Sequence, residues 1–213
     1  MRLVVHEFLS LDGVMQGPGG PTEDTSGGFT RGGWIVPFAA APEWGAAVTG
    51  WFAQADAILL GRTTYEMMYP YWSAVTDPDN SVATALNGLP KYVVSSTLGT
   101  ADWAGSTILS GDAVEAVTRL KAAPGEELQL HGSWRLARTL HNAGLVDEYR
   151  LLVFPVVVGE GKRLFGERGP ATGLEVRDAR ILDGGTTSLQ LGPAPFGQGG
   201  LEVVEGREVL VDR

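Results

Sequence analysis

The sequence predicts an α/β fold with a mixed, mostly parallel sheet, flanking helices and an antiparallel hairpin at the carboxyl-terminal end. Three observations support this prediction. Between residues 43 and 158, short apolar runs typical of buried strands alternate with segments that have helical spacing. Glycine-containing turns separate many of these segments. Two later runs, 174–182 and 186–191, flank Asp183-Gly184-Gly185, which is typical of a hairpin.

The bulk composition is that of an ordinary globular protein. The 213 residues predict a single domain spanning 1–213, and 44% of them are hydrophobic. A net charge of −9 argues against nucleic-acid binding, which needs a basic face. The absence of cysteine excludes disulfides and thiolate chemistry. Residues 1–7 are too polar for a signal peptide and no run reaches the ~20 apolar residues of a membrane span, so we expect a cytoplasmic protein.

The amino-terminal part of the chain predicts one strand followed by a long covering segment. Residues 3–10 are mostly apolar and predict the first strand. Residues 11–42 are rich in glycine and proline but contain Phe29 and Trp34, which a simple linker would not need. Because long loops in compact domains are usually functional, we interpret this segment as a lid over a site.

The middle and the end of the chain predict the remaining elements in order. The predicted helices are 43–54, 63–69, 79–87, 113–121 and 134–143. The first has one apolar face, and Gly144 ends the last. The predicted strands are 57–60, 91–95, 106–109, 127–130, 147–158 and the hairpin pair. Residues 192–200 predict a loop, and 201–211 predict a further strand pair.

Three turns that follow buried strands carry the residues of chemical interest. Gly61-Arg62-Thr63-Thr64 and His131-Gly132-Ser133 each open a helix, whose first N–H groups favour anions. Ser95-Ser96-Thr97 follows another strand and offers three hydroxyl donors. Because ligands of such sheets bind at the carboxyl ends of the strands, the three turns predict a site for a ligand with several phosphates. Each turn alone is also compatible with an ordinary polar turn or helix cap.

Other kinds of chemistry have little support in the sequence. No Gly-x-Ser-x-Gly elbow occurs, and the three histidines, His6, His131 and His141, lack the spacing of metal ligands, so we predict no metal. The turn at His131 is not a full Gly-x-Gly-x-x-Gly fingerprint, which argues against an ordinary dinucleotide-binding domain. We interpret His131 as a hydrogen-bonded residue at a strand end rather than an acid–base catalyst.

Taken in order, the segments resemble the dihydrofolate reductase superfamily, and most closely the RibD C-terminal domain family. The resemblance covers most of residues 1–191 and leaves 192–213 as a poorly matched tail. The segments that carry it are Ser10-Leu11-Asp12-Gly13-Val14, Leu60-Gly61-Arg62-Thr63-Thr64-Tyr65-Glu66, Lys91-Tyr92-Val93-Val94-Ser95-Ser96-Thr97-Leu98, His131-Gly132-Ser133, Gly144-Leu145-Val146-Asp147-Glu148-Tyr149-Arg150-Leu151 and Phe154-Pro155-Val156-Val157-Val158-Gly159-Glu160-Gly161-Lys162-Arg163-Leu164-Phe165.

This resemblance implies a three-layer dihydrofolate-reductase-like fold and an NADPH-dependent reductase acting on a small heterocycle, carbonyl or imine. The implied cofactor contacts are Phe8, Ser10, Met15, Gln16, Gly61, Arg62, Thr63, Thr64, Ser95, Ser96, Thr97, His131, Gly132, Ser133 and Leu136. Residues 61–64 would hold the pyrophosphate, and 95–97 the 2′-phosphate of the adenosine. Phe29 and Trp34 would lie over the substrate.

The proton donor, the substrate and the partners stay open at this stage. Glu43 lies roughly where a folate reductase keeps its substrate-binding carboxylate, although a first-turn glutamate is also favoured by the helix dipole alone. The strand segment 149–155 lacks the threonine that folate reductases couple to this acid, which puts a pteridine site in doubt. A non-catalytic NADP(H)-binding protein and a 5-amino-6-(5-phosphoribosylamino)uracil reductase are the alternatives. The resemblance and the apolar strand 151–158, if it is exposed, also predict a homodimer.

Overall fold

The computed structural model describes residues 1–212. In order, its strands are β1 (Arg2–Ser10), β2 (Ala57–Gly61), β3 (Lys91–Val94), β4 (Ser106–Leu109), β5 (Glu127–His131), β6 (Glu148–Phe154), β7 (Gly173–Ile181), β8 (Thr187–Ala194), β9 (Gly199–Val204) and β10 (Arg207–Asp212). Its α-helices are α1 (Pro42–Phe52), α2 (Arg62–Trp72), α3 (Ser81–Gly88), α4 (Ala113–Ala122) and α5 (Trp134–Asn142).

One mixed sheet forms the centre of the fold. Eight strands lie in the order β4-β3-β2-β5-β1-β6-β8-β7, and the neighbours from β4 to β6 pair in parallel. The hairpin β7–β8 is antiparallel to β6 and closes one edge. Both faces are covered, because one hydrophobic cluster packs α4 and α5 against the sheet and a second packs α1 and α3 against it. The predicted three-layer fold is confirmed.

The strand predicted over 147–158 ends earlier than its apolar pattern suggested. β6 stops at Phe154, because Pro155 has no N–H to donate to the sheet and the chain turns there. β6 also lies between β1 and β8 with most of its side chains buried. It is therefore an internal strand, and its apolar character gives no support to a subunit contact.

The carboxyl-terminal segment contains more strand than predicted. The predicted loop 192–200 is too long at both ends. β8 continues to Ala194, and β9 begins at Gly199. The predicted strand pair over 201–211 is confirmed as β9 and β10, which form a separate two-stranded sheet. Glu205 and Gly206 both have positive φ, as a tight hairpin turn requires. The predicted domain limit at Arg213 lies outside the described residues.

The glycine-rich segment 11–42 is packed onto the body of the domain. Phe29 and Trp34 are buried, and the Trp34 indole N–H donates to the carbonyl of Gln16 at 2.9 Å. A Cβ at Gly32 would lie 2.4 Å from the carbonyl oxygen of Gly20, so only glycine permits this close approach. Among residues 1–212, none of the helices has the length and apolar character needed to cross a membrane.

Candidate functional site

A large cleft lies at the carboxyl ends of the parallel strands. It encloses about 2460 Å³, and the predicted turns at the ends of β2, β3 and β5 contribute to its wall together with α1 and the segment 15–29. Sites for a single small molecule usually enclose ~300–1,000 Å³. The cleft therefore has room for an extended ligand such as a dinucleotide and for a second molecule beside it.

Two of the predicted turns are bonded to each other, because β2 and β5 are neighbours in the sheet. The Gly61 N–H donates to the Ser133 hydroxyl oxygen at 2.8 Å, and the Ser133 N–H donates to the Thr64 hydroxyl oxygen at 2.9 Å. We call this pair of bonds the Ser133 clasp. It holds the starts of α2 and α5 side by side at the rim of the cleft.

The local backbone of the second turn explains why this sequence forms the clasp. Gly132 and Ser133 both adopt left-handed conformations, with φ of 56° and 59°. Such a conformation is easy for glycine and strained for serine. A Cβ at Gly132 would also lie 2.9 Å from the Thr64 methyl group. The turn therefore needs glycine at position 132 in order to approach α2.

Both helices present free N–H groups at their first turn. The residue that precedes α2 is Gly61 and the residue that precedes α5 is Ser133, and neither helix has a side-chain cap bonded to its first-turn amides. Unbonded first-turn N–H groups and the positive end of the helix dipole favour phosphate oxygens. The rim at this point has the donor set expected of a pyrophosphate site.

The third predicted turn uses its hydroxyls in two ways. The Ser95 hydroxyl oxygen is buried and accepts bonds from the N–H groups of Thr97 and Leu98, at 3.1 and 2.9 Å, so it shapes the turn. Ser96 and Thr97 are exposed and line the cleft. Arg62, at the start of α2, also lines the cleft, and its guanidinium pairs with Glu66 at 2.8 Å on the exposed side of that helix.

The structure places the remaining predicted cofactor and substrate residues at different depths. Ser10 does not line the cleft: its hydroxyl donates to Asp12 and accepts from the Val14 N–H, so it fixes the turn after β1. Trp34 also lies outside the cleft wall and packs edge-on against Phe154. The predicted residues that do line the cleft are Phe8, Met15, Gln16, Phe29, Gly61, Arg62, Thr63, Thr64, Ser95, Ser96, Thr97, His131, Gly132, Ser133 and Leu136.

The structure places the Glu43 side chain outside the cleft. This side chain accepts a hydrogen bond from the Asp183 N–H at 2.8 Å, at the exposed turn between β7 and β8. Its neighbour Trp44 lines the cleft while Glu43 does not. The first turn of α1 therefore directs this acid toward the hairpin, where it stabilises a turn.

The floor of the cleft contains a histidine pair. His131 stacks between Phe52, with ring centroids 4.7 Å apart, and His6, at 5.0 Å. Its Nε2 lies 3.1 Å from the Gln129 side-chain oxygen, which supports the interpretation of His131 as a hydrogen-bonded residue at a strand end. Burial lowers the pKa of His131 well below its usual value, and burial also lowers the pKa of His6. Both rings are therefore neutral at pH 7.

Residues of the floor that sequence reasoning missed belong to β1 and α1. His6 and Glu7 lie in the middle of β1, and Trp51 and Phe52 lie at the end of α1. Both nitrogens of His6 and the Oε1 of Glu7 are buried without a hydrogen-bond partner among residues 1–212. His6 and Glu7 could have been recognised from the sequence, because they are polar residues inside an apolar strand. A strand that is buried on both faces normally has no polar residues.

A buried ionic cluster supports the floor from the α1 side of the sheet. The Arg150 guanidinium donates to both carboxylate oxygens of Glu127, at 2.9 and 2.8 Å, and to Glu148 at 2.7 Å. The three side chains are 3%, 4% and 6% exposed. Burial by itself raises the pKa of Glu127. Contacts with His6 and Gln129 and the positive charge of Arg150 have a larger opposite effect, so the pKa of Glu127 is lowered overall.

No group of three or more His, Cys, Asp or Glu side chains within residues 1–212 is arranged to hold a metal ion. The arrangement instead offers hydrogen-bond donors at the rim, aromatic rings in the floor and neutral histidines. Such a site can bind a phosphate-bearing nucleotide along the rim and a planar molecule over the floor.

Comparisons with known proteins agree with this architecture. A family model for the RibD C-terminal domain matches residues 2–189. The uncharacterized protein YyaP of Bacillus subtilis (strain 168) is 30% identical over 190 residues, which cover 88% of this chain and 93% of YyaP.

Solved structures show the same fold at low sequence identity. A Shewanella sp. PV-4 protein provisionally assigned to riboflavin biosynthesis is 20% identical, with a TM-score of 0.68 over 92% of this chain and 100% of the other. Dihydrofolate reductase from Enterococcus faecalis, solved with NADP(H), is 14% identical, with a TM-score of 0.58 over 91% of this chain and 97% of the other. The fold is dihydrofolate-reductase-like, and the chain belongs to the RibD C-terminal domain family.

Proposed function

We propose that the protein is an NADPH-dependent reductase that transfers hydride to a small planar heterocycle or to a carbonyl or imine compound. The observation that carries the proposal is the rim of the cleft, where the turns after β2, β3 and β5 lie side by side. Membership of a family related to reductases, and the likeness to an NADP(H)-bound dihydrofolate reductase, support the same reading.

The residues at the rim fit the phosphates of NADPH. The Ser133 clasp leaves the first-turn N–H groups of α2 and α5 beside one another for the pyrophosphate. Ser96 and Thr97 offer exposed hydroxyls for the 2′-phosphate, and Arg62 offers a positive charge beside them. A Cβ at Gly61 would lie 3.3 Å from the Ser133 hydroxyl oxygen, so glycine at this position lets the β2–α2 turn approach the turn after β5.

The floor of the cleft fits a planar substrate. Phe8, Trp44, Trp51 and Phe52 supply aromatic surface, and the neutral His6 and His131 supply nitrogens that donate or accept hydrogen bonds. NADPH, when bound, supplies the hydride. The residues of the chain bind and orient the two ligands and exclude water between them.

Two other functions remain testable alternatives. A non-catalytic NADP(H)-binding protein would use the same rim without turnover, since a fold does not fix an activity. Reduction of 5-amino-6-(5-phosphoribosylamino)uracil is favoured by the family match. That substrate needs cations for its phosphate. Of the cations that line the cleft, Lys162 is paired with Asp24 and Arg138 donates to backbone carbonyls, whereas Arg135 and Arg168 form no salt bridge among residues 1–212 and could serve this role.

The test of the proposal is a comparison of NADPH with NADH, followed by turnover with a panel of acceptors. Tryptophan fluorescence measures binding, because several tryptophans line the cleft. We expect NADPH to bind at least ~10-fold more tightly than NADH, which corresponds to about 1.4 kcal/mol for the 2′-phosphate. Equal affinities would remove the assigned role of Ser96 and Thr97. Tight binding without oxidation of NADPH by any acceptor would favour the non-catalytic alternative.

We also propose that the protein acts in the cytoplasm as a homodimer. The exposed apolar side chains Leu201, Val203 and Leu210 on the β9–β10 sheet support a second copy as the partner, because an isolated two-stranded sheet is marginally stable in water. Light scattering should give twice the mass of the chain, and a Leu210→Ser variant should shift toward the monomer. A monomeric wild-type protein would contradict the proposal.

A further inference from the structure

The side-chain amide of Gln129 is held in one orientation beneath the floor of the cleft. The residue is fully buried on β5, on the face of the sheet that packs against α1. Its NH2 group donates to the main-chain carbonyl of Trp51 at 2.7 Å and to the Glu127 carboxylate. Neither partner can donate in return, because a carbonyl has no proton and Glu127 is ionised beside Arg150. The amide oxygen of Gln129 therefore has to face the other way, toward His131.

The orientation of Gln129 decides which nitrogen of the His131 ring carries the proton. The amide oxygen lies 3.1 Å from Nε2 of His131, and because this oxygen can only accept, Nε2 is the donor. Burial and the neighbouring His6 lower the pKa of His131 well below its usual value, so the ring carries a single proton at pH 7. A neutral imidazole that is protonated at Nε2 has an unshared electron pair at Nδ1. His131 is therefore a hydrogen-bond acceptor at Nδ1.

The Nδ1 edge of the His131 ring is the part that remains open to the cleft. Phe52, whose ring plane lies within 2° of parallel, and His6 cover the two faces of the ring. The residue is nevertheless only half-buried, and it lines the cleft. Its Nδ1 has no hydrogen-bond partner among residues 1–212, yet it is not sealed from solvent as both nitrogens of His6 are. An acceptor of fixed direction is thus presented to a molecule on the floor.

The other side chains of the floor indicate what kind of group Nδ1 would meet. Phe8, Trp44 and Phe52 are aromatic and favour a flat molecule that lies against them. If such a molecule covers Nδ1 without offering a proton, the nitrogen loses its contact with water and gains nothing in return, which is costly. A carbonyl oxygen or an unprotonated ring nitrogen at this point would also face the unshared electron pair. A ring N–H in the plane of the molecule satisfies the acceptor instead.

We propose that His131 determines the substrate specificity of the site by accepting, at Nδ1, a hydrogen bond from a ring N–H of a planar nitrogen heterocycle. The inference rests on the proposed reductase function and narrows its substrate class, which otherwise includes carbonyl and imine compounds without such a donor. Gln129 is the positioning residue, because it fixes the proton at Nε2. A hydrogen bond in the plane of the heterocycle sets its rotation on the floor, and this rotation decides which ring atom can face the hydride donor.

Nitrogen NMR of protein labelled in its histidine rings tests the assigned proton position, because protonated and unprotonated ring nitrogens resonate in separate regions. We expect the His131 ring, identified by its loss from the spectrum of His131→Phe, to be protonated at Nε2 and unprotonated at Nδ1 at pH 7. In Gln129→Met, which has a side chain of similar length without the oxygen, the form protonated at Nδ1 should become populated. A wild-type His131 ring protonated at Nδ1 would overturn the proposal, and an unchanged ring in Gln129→Met would remove the role of Gln129.

Binding of a matched pair of probes gives the second readout. Quinazolin-4-one and its 3-methyl derivative are planar heterocycles that differ only in whether one ring nitrogen carries hydrogen or methyl. In titration calorimetry we expect the wild-type protein to bind the N–H probe at least ~10-fold more tightly than the methylated one. His131→Phe, which keeps a ring against Phe52 but has no acceptor, should lose this preference. His141→Gln, which lies outside the cleft beside Tyr149, is the matched control and should keep it.

The outcomes separate this inference from the proposed function, because the probes are titrated into the protein without NADPH. Equal affinities of the wild-type protein for the two probes, no binding of the N–H probe, or a preference that survives in His131→Phe would overturn the role of His131. Oxidation of NADPH by another acceptor would leave the reductase function standing in each of those cases. A wild-type protein that binds no NADPH would instead refute the reductase function, whatever its preference between the probes.

Discussion

Replacing Arg150 by methionine should destabilise the protein strongly at neutral pH. The substitution removes three charge-assisted hydrogen bonds, two to Glu127 and one to Glu148. It leaves two carboxylates that are 4% and 6% exposed without the buried cation that they share. Breaking a buried ion pair on one side costs about 3–5 kcal/mol, because the remaining charge is poorly hydrated. The half-exposed Arg2 and Arg177 still contact the two carboxylates, so we expect a loss toward the lower end of this range. For a chain of this size the midpoint of thermal unfolding should fall by roughly 6–20 °C.

The loss should shrink as the pH falls. The lowered pKa of Glu127 means that ionised Glu127 contributes stability in wild type above its unfolded pKa, and that this contribution is lost as the pH falls through the folded value. Without the charge of Arg150, Glu127 takes up its proton at a higher pH than in wild type, and this protonation reduces the cost of the substitution as the pH falls. The difference in unfolding free energy between the two proteins should therefore be larger at pH 7 than near pH 4.5.

Urea denaturation at the two pH values measures this difference, with Arg177→Met as the matched control. Arg177 donates to the same Glu148 at 2.9 Å, but its side chain is 40% exposed. Partly exposed pairs contribute about 1 kcal/mol or less, so the control should change stability little. If Arg150→Met costs no more than Arg177→Met, or if its cost does not depend on pH, the cluster does not carry the buried charge assigned to it.

Three further outcomes are expected. Arg62→Ala should weaken NADPH binding about tenfold in a fluorescence titration, and Glu66→Gln, which frees the guanidinium, should not weaken it; an unchanged affinity in the first variant would remove Arg62 from the site. Gly132→Ala should cost more than the ~1–2 kcal/mol of an ordinary left-handed alanine, since its Cβ would meet the neighbouring turn at 2.9 Å. The control is Gly144→Ala, with φ of 67° and open space, and equal losses in urea would contradict that contact. Glu43→Gln should lower stability by about 1 kcal/mol and leave turnover unchanged, and a tenfold fall in kcat would contradict its placement outside the cleft.

The strand–turn–helix segments were predictable because their signals are local. The apolar run before Gly61 and the helical spacing after it are sufficient to predict β2, α2 and the turn between them. The parallel order of the strands then brings the turns at 61–64, 95–97 and 131–133 to one edge. Ser133 bonds two of these turns together because of the register between the neighbouring strands β2 and β5. This register cannot be read from any short stretch of the sequence.

The predicted residues that lie away from the cleft, and the cleft residues that were missed, depend on how distant elements dock. Glu43 begins α1 as predicted, but the direction of its side chain depends on the hairpin turn at Asp183, which comes 140 residues later. Trp34 packs on Phe154 because the segment 11–42 folds onto the body of the domain. The glycine content of this segment does not by itself indicate that packing. His6 and Glu7 were visible as polar residues in an apolar strand, yet their burial follows only from the complete sheet.

The Ser133 clasp has a consequence for the order in which ligands are exchanged. Because one serine bonds both to the turn before α2 and to the side chain of Thr64, these two helix starts cannot separate without losing two hydrogen bonds. The phosphate side of the cleft is therefore assembled before any ligand arrives, and binding there needs little loss of conformational entropy. The segment 17–28, which also lines the cleft, is largely exposed and is not part of the clasp. Under the proposed function, the phosphate side of the cleft is a fixed anchor for the nucleotide, and exchange of the second ligand depends on the glycine-rich segment.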